Sequence, residues 1–151
     1  MDQQNVLEGS MPKMDNLIWR VFKLFLKNKK QILDRLDLTC SQYEILSAIY
    51  FLMRVRPEVI QIDLSEKAFI DPMTTSTILR NLQKKGLIKR NRSLVNTRTI
   101  IVELTPIGVV LFENACRQLE AYSEMIFEGI NQKHLTSQLT KLSHNLNKLN
   151  Y

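Results

Sequence analysis

The stretch PMTTSTILRNLQKKGLIKRNRSLVNTRTIIV, residues 72–102, contains seven Lys or Arg and no Asp or Glu. Acidic residues stand directly outside it, at Asp71 and Glu103. The whole chain has 21 basic and 15 acidic side chains; without the seven of this stretch, 14 basic side chains remain against the same 15 acidic ones. The formal net charge of +6 therefore comes from one segment. A focused positive field indicates a polyanionic partner. The alternative is a solvated basic face, although such faces usually interleave both signs of charge.

The first half of this stretch predicts a helix with clear ends. Asp71 is a candidate N-cap, Pro72 suits the first helical position, and Gly86 ends the helix. At 100° per residue, four residues share the inner side: Thr75, Ile78, Leu79 and Leu82. The outer side has hydroxyls near the N-terminus and cations toward the C-terminus, and its candidate DNA-binding residues are Met73, Thr74, Ser76, Thr77, Arg80 and Lys84. Such side chains can read base edges in a major groove, and the helix N-terminus favours a phosphate. The alternative is an ordinary surface helix.

The second half of the stretch predicts a basic hairpin. The β-branched runs LIKRN and RTIIVEL are separated by RSLVNT, a pattern typical of two paired strands and a loop. The candidate DNA-binding residues on this arm are Lys89, Arg90, Arg92 and Arg98. Such an arm can lie along phosphates or enter a minor groove.

Helices are predicted on both sides of this unit. The first covers about residues 14–36, with Ile18, Val21, Phe22, Phe25, Ile32 and Leu36 near one face. Two shorter helices follow, the earlier one capped by Thr39. Beyond the hairpin, Thr105 and Pro106 begin a long helix. The last helix starts near residue 133 and has five leucines at spacings of four and three: Leu135, Leu139, Leu142, Leu146 and Leu149. The chain is therefore predicted to be mainly α with a small β-hairpin wing, in the order of a winged helix-turn-helix.

Residues 38–108 resemble the MarR family of bacterial winged-helix transcription regulators. The motifs that carry the resemblance are LTCSQYEIL, DLSEKAFIDPMTTSTILRNLQKKGLIKR and NTRTIIVELTPIG. It implies a single domain over residues 1–151, with dimerisation helices in 14–37 and 105–151. It also implies that the segment from Met73 to Arg80 enters the major groove and Arg98 the minor groove. Two departures concern the wing: Asn96 replaces the family's usual Asp, and Leu94 and Val95 stand where polar residues are usual.

The sequence thus predicts a cytoplasmic, sequence-specific regulator that binds a pseudo-palindromic double-stranded DNA site as a homodimer. The row of five leucines on the last helix, the leucine seam, favours the dimer. The alternative is that the first and last helices pack against each other within one chain. Release from DNA by a small aromatic effector is a further expectation, with Trp19 and Tyr43 as candidate pocket residues.

Two other classes of function have some support in the sequence. A winged helix can also serve as a protein-interaction module, and Cys40, in a first helical turn where the dipole favours a thiolate, allows a redox-sensing regulator. An enzyme is not expected, because the sequence has no Gly-rich phosphate loop, nucleophile elbow or His and carboxylate cluster. Cys40 and Cys116 have no metal-ligand spacing, so neither a metal nor a cofactor is predicted. The sequence has no run of about 18 apolar residues, so no membrane span is predicted.

Overall fold

The computed structural model describes residues 13–96 and 98–149; residues 1–12, Thr97 and residues 150–151 lie outside that part of the chain. The described residues form six helices and two strands. In chain order these are α1 (Lys13–Asp34), α2 (Cys40–Leu52), α3 (Gln61–Ala68), α4 (Pro72–Lys84), β1 (Ile88–Arg92), β2 (Ile100–Leu104), α5 (Pro106–Ile126) and α6 (Gln132–Leu149). The prediction of a helical chain with a small hairpin is confirmed.

The helix ends follow local capping rules. Thr39 caps α2 through a capping box, in which its hydroxyl accepts from the Gln42 N–H and the Gln42 side chain accepts from the Thr39 N–H, both at 3.1 Å. Asp71 caps α4, where its carboxylate accepts from the Thr74 N–H at 2.9 Å. Gly86 follows α4 with φ +72°, a left-handed conformation that glycine adopts at little cost. These three ends were predicted from sequence.

The core lies between α2, α3, α4 and the hairpin, with contributions from the end of α1 and the start of α5. Its fully buried side chains include Leu33, Leu38, Ile45, Leu46, Ile49, Leu64, Thr75, Leu79, Leu82, Val102 and Phe112. The inner face predicted for α4 is confirmed, since its four residues are all buried. On α1, by contrast, the buried residue is Leu33, which was not in the predicted set. Ile18, Val21, Phe22 and Phe25, which the sequence placed near one face of this helix, are exposed.

Strands β1 and β2 pair antiparallel, with Arg90 opposite Val102. A further bridge joins Ile60 to Ile101, and the Val102 N–H donates to the Val59 carbonyl at 2.8 Å. The segment before α3 therefore adds a short third edge to the hairpin, a contact that the sequence did not reveal.

The base of the wing is fixed to the start of α5. The Thr105 hydroxyl donates to the Gly86 carbonyl at 2.7 Å and accepts from the Gly108 N–H at 3.1 Å. A Cβ atom at Gly108 would lie 2.0 Å from the Leu87 carbonyl oxygen, so only glycine fits this approach. These contacts hold α4, the wing and α5 together at one point.

The chain divides into two compact units, one ending at Cys116 and the other beginning at Arg117. The second unit contains the end of α5 and all of α6, and α6 has no buried residue. The prediction that residues 1–151 form a single domain stays a prediction. In the part of the chain that the structure describes, no helix is both long and apolar enough to span a bilayer.

Candidate nucleic-acid interface

The outer face of α4 is polar, basic and open to solvent. Met73, Thr74, Thr77, Arg80 and Lys84 are exposed and Ser76 is half-buried, so the six predicted residues share one accessible face. The Thr77 hydroxyl donates to the Met73 carbonyl at 3.2 Å. The Arg80 Nε donates to the Ser76 carbonyl at 3.4 Å, leaving the guanidinium end outward. The face therefore presents short side chains first and a long cation one turn later.

The N-terminus of α4 is already occupied by its own cap. Hydrogen bonds from Thr74 lower the pKa of the Asp71 carboxyl below its ordinary value of 3.8, and the bond from the Thr74 side chain has a larger effect than the one from its backbone. The cap is consequently charged at neutral pH and satisfies the helix dipole itself. The Asp71 charge opposes a phosphate at this helix end, and the expectation of one there stays a prediction.

The basic residues of the wing divide between its two faces. Successive side chains of a strand point to opposite sides, so Lys89 faces away from Arg90 and Arg92. Lys89 and Arg92 are exposed, whereas Arg90 is half-buried on the side of Ile88 and Val102. The Arg90 Nε is buried and has no hydrogen-bond partner within residues 13–96 and 98–149. Among the predicted cations of β1, Lys89 and Arg92 are thus the accessible ones.

Arg98 is exposed at the loop that joins the strands. Its backbone N–H donates to the Asn96 Oδ1 at 3.1 Å. The side chain at position 96 therefore orders the backbone of Arg98, which an amide does as well as a carboxylate. The departure from the usual Asp keeps this contact.

One cation of residues 72–102, Lys85, is not part of the outer face of α4. Lys85 forms an ion pair with the Asp37 carboxylate at 2.9 Å, donates to the Asp37 carbonyl and lies 3.5 Å from the Gln42 Oε1. It ties the end of α4 to the turn between α1 and α2. Sequence reasoning gave Lys85 no such role, since its partner lies 48 residues away.

The two candidate pocket residues belong to different aromatic groups. Trp19 is exposed and stacks on Phe22, with ring centroids 6.0 Å apart. Tyr43 stacks on Phe112 at 5.6 Å, and its hydroxyl lies 3.5 Å from the Cys116 sulfur.

A cavity of about 130 Å³ lies near the turn between α1 and α2. It is lined by Asp34, Asp37, Leu38, Thr39, Gln42 and Lys85. Neither Trp19 nor Tyr43 lines it, so the effector site stays a prediction.

Within the described residues, no group of three or more His, Cys, Asp or Glu is placed to hold a metal ion. Cys40 and Cys116 are free thiols, both half-buried.

The helix-turn-helix, its exposed α4 face and the basic hairpin define a winged-helix transcriptional regulator. More narrowly, the chain belongs to the family of transcriptional regulators SarA/Rot, whose model matches residues 27–115. The organic hydroperoxide resistance transcriptional regulator of Bacillus subtilis (strain 168) is 30% identical over 90 residues, which are 59% of this chain. The match covers 58% of that relative, less than two thirds of its length.

Solved structures share the fold. A MarR-family transcriptional regulator from Rhodococcus sp. RHA1 has a TM-score of 0.72 at 22% identity, covering 88% of this chain and 94% of that one. The S. aureus MepR–DNA complex has a TM-score of 0.75 at 22% identity, covering 86% and 94%. The predicted resemblance to the MarR family and the predicted fold class are confirmed.

Proposed function

We propose that this regulator binds double-stranded DNA sequence-specifically as a homodimer. The observation that carries the proposal is the exposed outer face of α4 together with a basic hairpin, both in residues 72–102, which have seven cations and no acidic side chain. Phosphates repel carboxylates, so a DNA-binding surface gains from excluding them. The solved relative MepR is described in complex with DNA, which supports the same use of the fold here.

The outer face of α4 is the proposed reader of base edges. Thr77 and Arg80 are exposed on consecutive turns of this helix. A hydroxyl or methyl group can contact a thymine methyl, and an Arg can bond guanine at two positions. Met73 is 82% exposed at the start of the helix and offers apolar contact to the same groove. Thr74 and Ser76 flank these residues, and Lys84 lies toward the phosphates at the other end.

The wing is the proposed backbone contact. Lys89, Arg92 and Arg98 are exposed and form no ion pair among the described residues, so their charges are available to phosphates. Arg90 is half-buried and contributes chiefly through long-range charge. Contacts of this kind position a protein on DNA and weaken with salt.

The homodimer is proposed to form through α1 and α6. On α1, nine large apolar side chains are exposed: Met14, Leu17, Ile18, Trp19, Val21, Phe22, Leu24, Phe25 and Leu26. On α6, Leu139, Leu146 and Leu149 are each more than half exposed. Exposed apolar side chains in this number on each of the two helices call for a partner surface. A second copy is the natural one, since two-fold symmetry also matches a pseudo-palindromic site.

A small aromatic effector completes the proposal. Tyr43 and Tyr50 both pack on Phe112, the second at 4.7 Å, so α2 and α5 already form an aromatic cluster. An aromatic ligand that competes for these stacking contacts would shift α2 relative to α5. Thermal-shift screening of phenolic acids against the wild type and Tyr43→Ala tests this part, and equal shifts for both proteins would contradict it.

The test of DNA binding is a salt series on a random-sequence duplex. Affinity should fall linearly on a log–log plot, by about 0.9 in slope for each phosphate contact. Arg92→Ala should make the slope shallower by about one contact. The matched control is Arg117→Ala, which removes an exposed cation outside the proposed surface and should leave the slope unchanged. Absent or salt-independent binding would contradict the proposal and favour a protein-interaction module.

A further inference from the structure

Two apolar side chains project from the tip of the basic wing. Leu94 is 98% exposed and Val95 is 90% exposed. In the strands behind them, by contrast, Ile88 is 2% exposed and Val102 is 0% exposed. Apolar surface in full contact with water is unfavourable, and Leu94 is the most exposed large apolar side chain among the residues that the structure describes.

The tip is held in place by a buried serine. The Ser93 hydroxyl, in a residue only 2% exposed, donates to the Glu58 carboxylate at distances of 3.1 and 3.4 Å to its two oxygens. The same hydroxyl accepts from the Val95 N–H at 3.2 Å and from the Asn96 N–H at 3.3 Å. The Ser93 N–H donates to the Thr99 carbonyl at 2.9 Å across the loop. The backbone that carries Leu94 and Val95 is therefore preorganised with both side chains outward.

Cations flank the apolar pair on both sides in the chain. Arg92 ends β1 and Arg98 follows the tip, and both are exposed. A partner surface that suits this tip combines apolar contact area with negative charge on either side of it. A DNA minor groove offers both, since its deoxyribose walls are apolar and run between two rows of phosphates, and at about 6 Å wide it admits slender aliphatic side chains.

We propose that Leu94 and Val95 enter the minor groove beside the recognition site and wedge open a base step. Arg92 and Arg98 hold the phosphates on either side of that step. Apolar side chains inserted in this way unstack bases and kink the duplex toward the major groove. Pyrimidine–purine steps kink most easily, so the wing contributes sequence preference at positions where it makes no base hydrogen bond. This inference rests on the proposed DNA binding and specifies how the wing uses it.

The experiment uses the full chain and its selected duplex, with 2-aminopurine placed in turn at each flanking step. This base fluoresces more when it is unstacked. The wild type should raise the fluorescence at one flanking step in each half-site by about two-fold or more. The double variant Leu94→Ser, Val95→Ser should still bind the duplex with a similar salt slope but give no rise. Val55→Ser is the matched control, because it removes a 75% exposed valine outside the wing, and it should behave as the wild type.

A second variant tests the preorganisation. Ser93→Ala keeps both apolar side chains but removes the hydroxyl that fixes the turn, so the fluorescence rise should be reduced without being abolished. Wild-type binding with no rise at any flanking step would overturn the wedge, as would a full rise from the double variant. In either case the apolar tip would instead serve a protein partner. Failure of the wild type to bind any duplex would overturn the proposed function as well, so the two failures are distinguishable.

Discussion

Helices α4 and α6 are both amphipathic, yet they bury their apolar faces to opposite extents. The 13-residue α4 buries Thr75, Ile78, Leu79 and Leu82 against the winged-helix core. The 18-residue α6 buries no residue, and Leu139 and Leu146 remain 54% and 56% exposed. An apolar stripe indicates that a helix packs against something. The difference indicates that α4 packs against its own chain, whereas α6 is proposed to pack against a second copy of the chain.

The largest effect is expected from removing α6. Deleting residues 133–151 should leave a monomer or an aggregate, because the leucine seam is lost. Affinity for a duplex with two half-sites should fall by about 100-fold or more, since the second half-site is no longer bound intramolecularly. Sedimentation and duplex titration measure the two effects, and removal of residues 150–151 alone is the control. A folded dimer after deletion of residues 133–151 would contradict the proposal that α6 packs against a second chain.

A matched pair of leucine substitutions sharpens the same contrast. Leu82→Ala removes a side chain with 0% exposure and should lower the free energy of unfolding by about 2–5 kcal/mol. Leu146→Ala removes a 56% exposed one and should cost the monomer less than about 0.5 kcal/mol. Urea unfolding at low protein concentration gives these values.

The two substitutions should affect dimer formation in the opposite order. Leu146→Ala should raise the concentration at which the dimer dissociates, whereas Leu82→Ala should act only through folding. Equal losses of monomer stability from both substitutions would mean that α6 packs within its own chain.

The sequence predicted α4 better than any other element. Its cap at Asp71, its buried face and its end at Gly86 depend on residues within one helix length, and local rules decide them. The fold class was predictable for the same reason, because Thr39, Asp71 and Thr105 mark helix starts and the β-branched runs mark the hairpin.

The contacts that orient the site were not predictable. Ser93 bonds Glu58 from 35 residues away, and Lys85 bonds Asp37 from 48 residues away. Only the folded chain brings these pairs together. The same limit explains Arg90, which looks like its neighbours in sequence but lies on the core side of β1 because of strand register.

A third, smaller effect should separate α4 from the wing. Thr77→Ala and Arg80→Ala should relax preference at defined base positions, each by about 1–3 kcal/mol of discrimination. Arg98→Ala should instead weaken specific and scrambled duplexes by similar factors, with a salt slope shallower by about one contact. The measurement is the affinity of each variant for both duplexes at several salt concentrations. A change of base preference from Arg98→Ala alone would reverse the roles assigned to the two elements.

The smallest effect concerns the cap of α4 and its pH dependence. Hydrogen bonds from Thr74 lower the pKa of Asp71 in the folded chain, so the charged cap stabilises the helix above the ordinary pKa of the carboxyl. That contribution is lost as the pH falls through the lowered value. The wild type should therefore melt slightly above Asp71→Asn at neutral pH, and the difference should shrink as the pH falls through the lowered pKa of Asp71. Thermal unfolding of both proteins across this range measures it. A difference independent of pH would show that the Asp71 charge contributes nothing.

The central claim is that two copies of the chain present two α4 helices to one duplex. Selection of binding sites from a random duplex pool, followed by measurement of the number of chains bound, tests it most directly. The account predicts an imperfect inverted repeat with half-site centres about 10 base pairs apart, bound by two chains. A single asymmetric site occupied by one chain would contradict it.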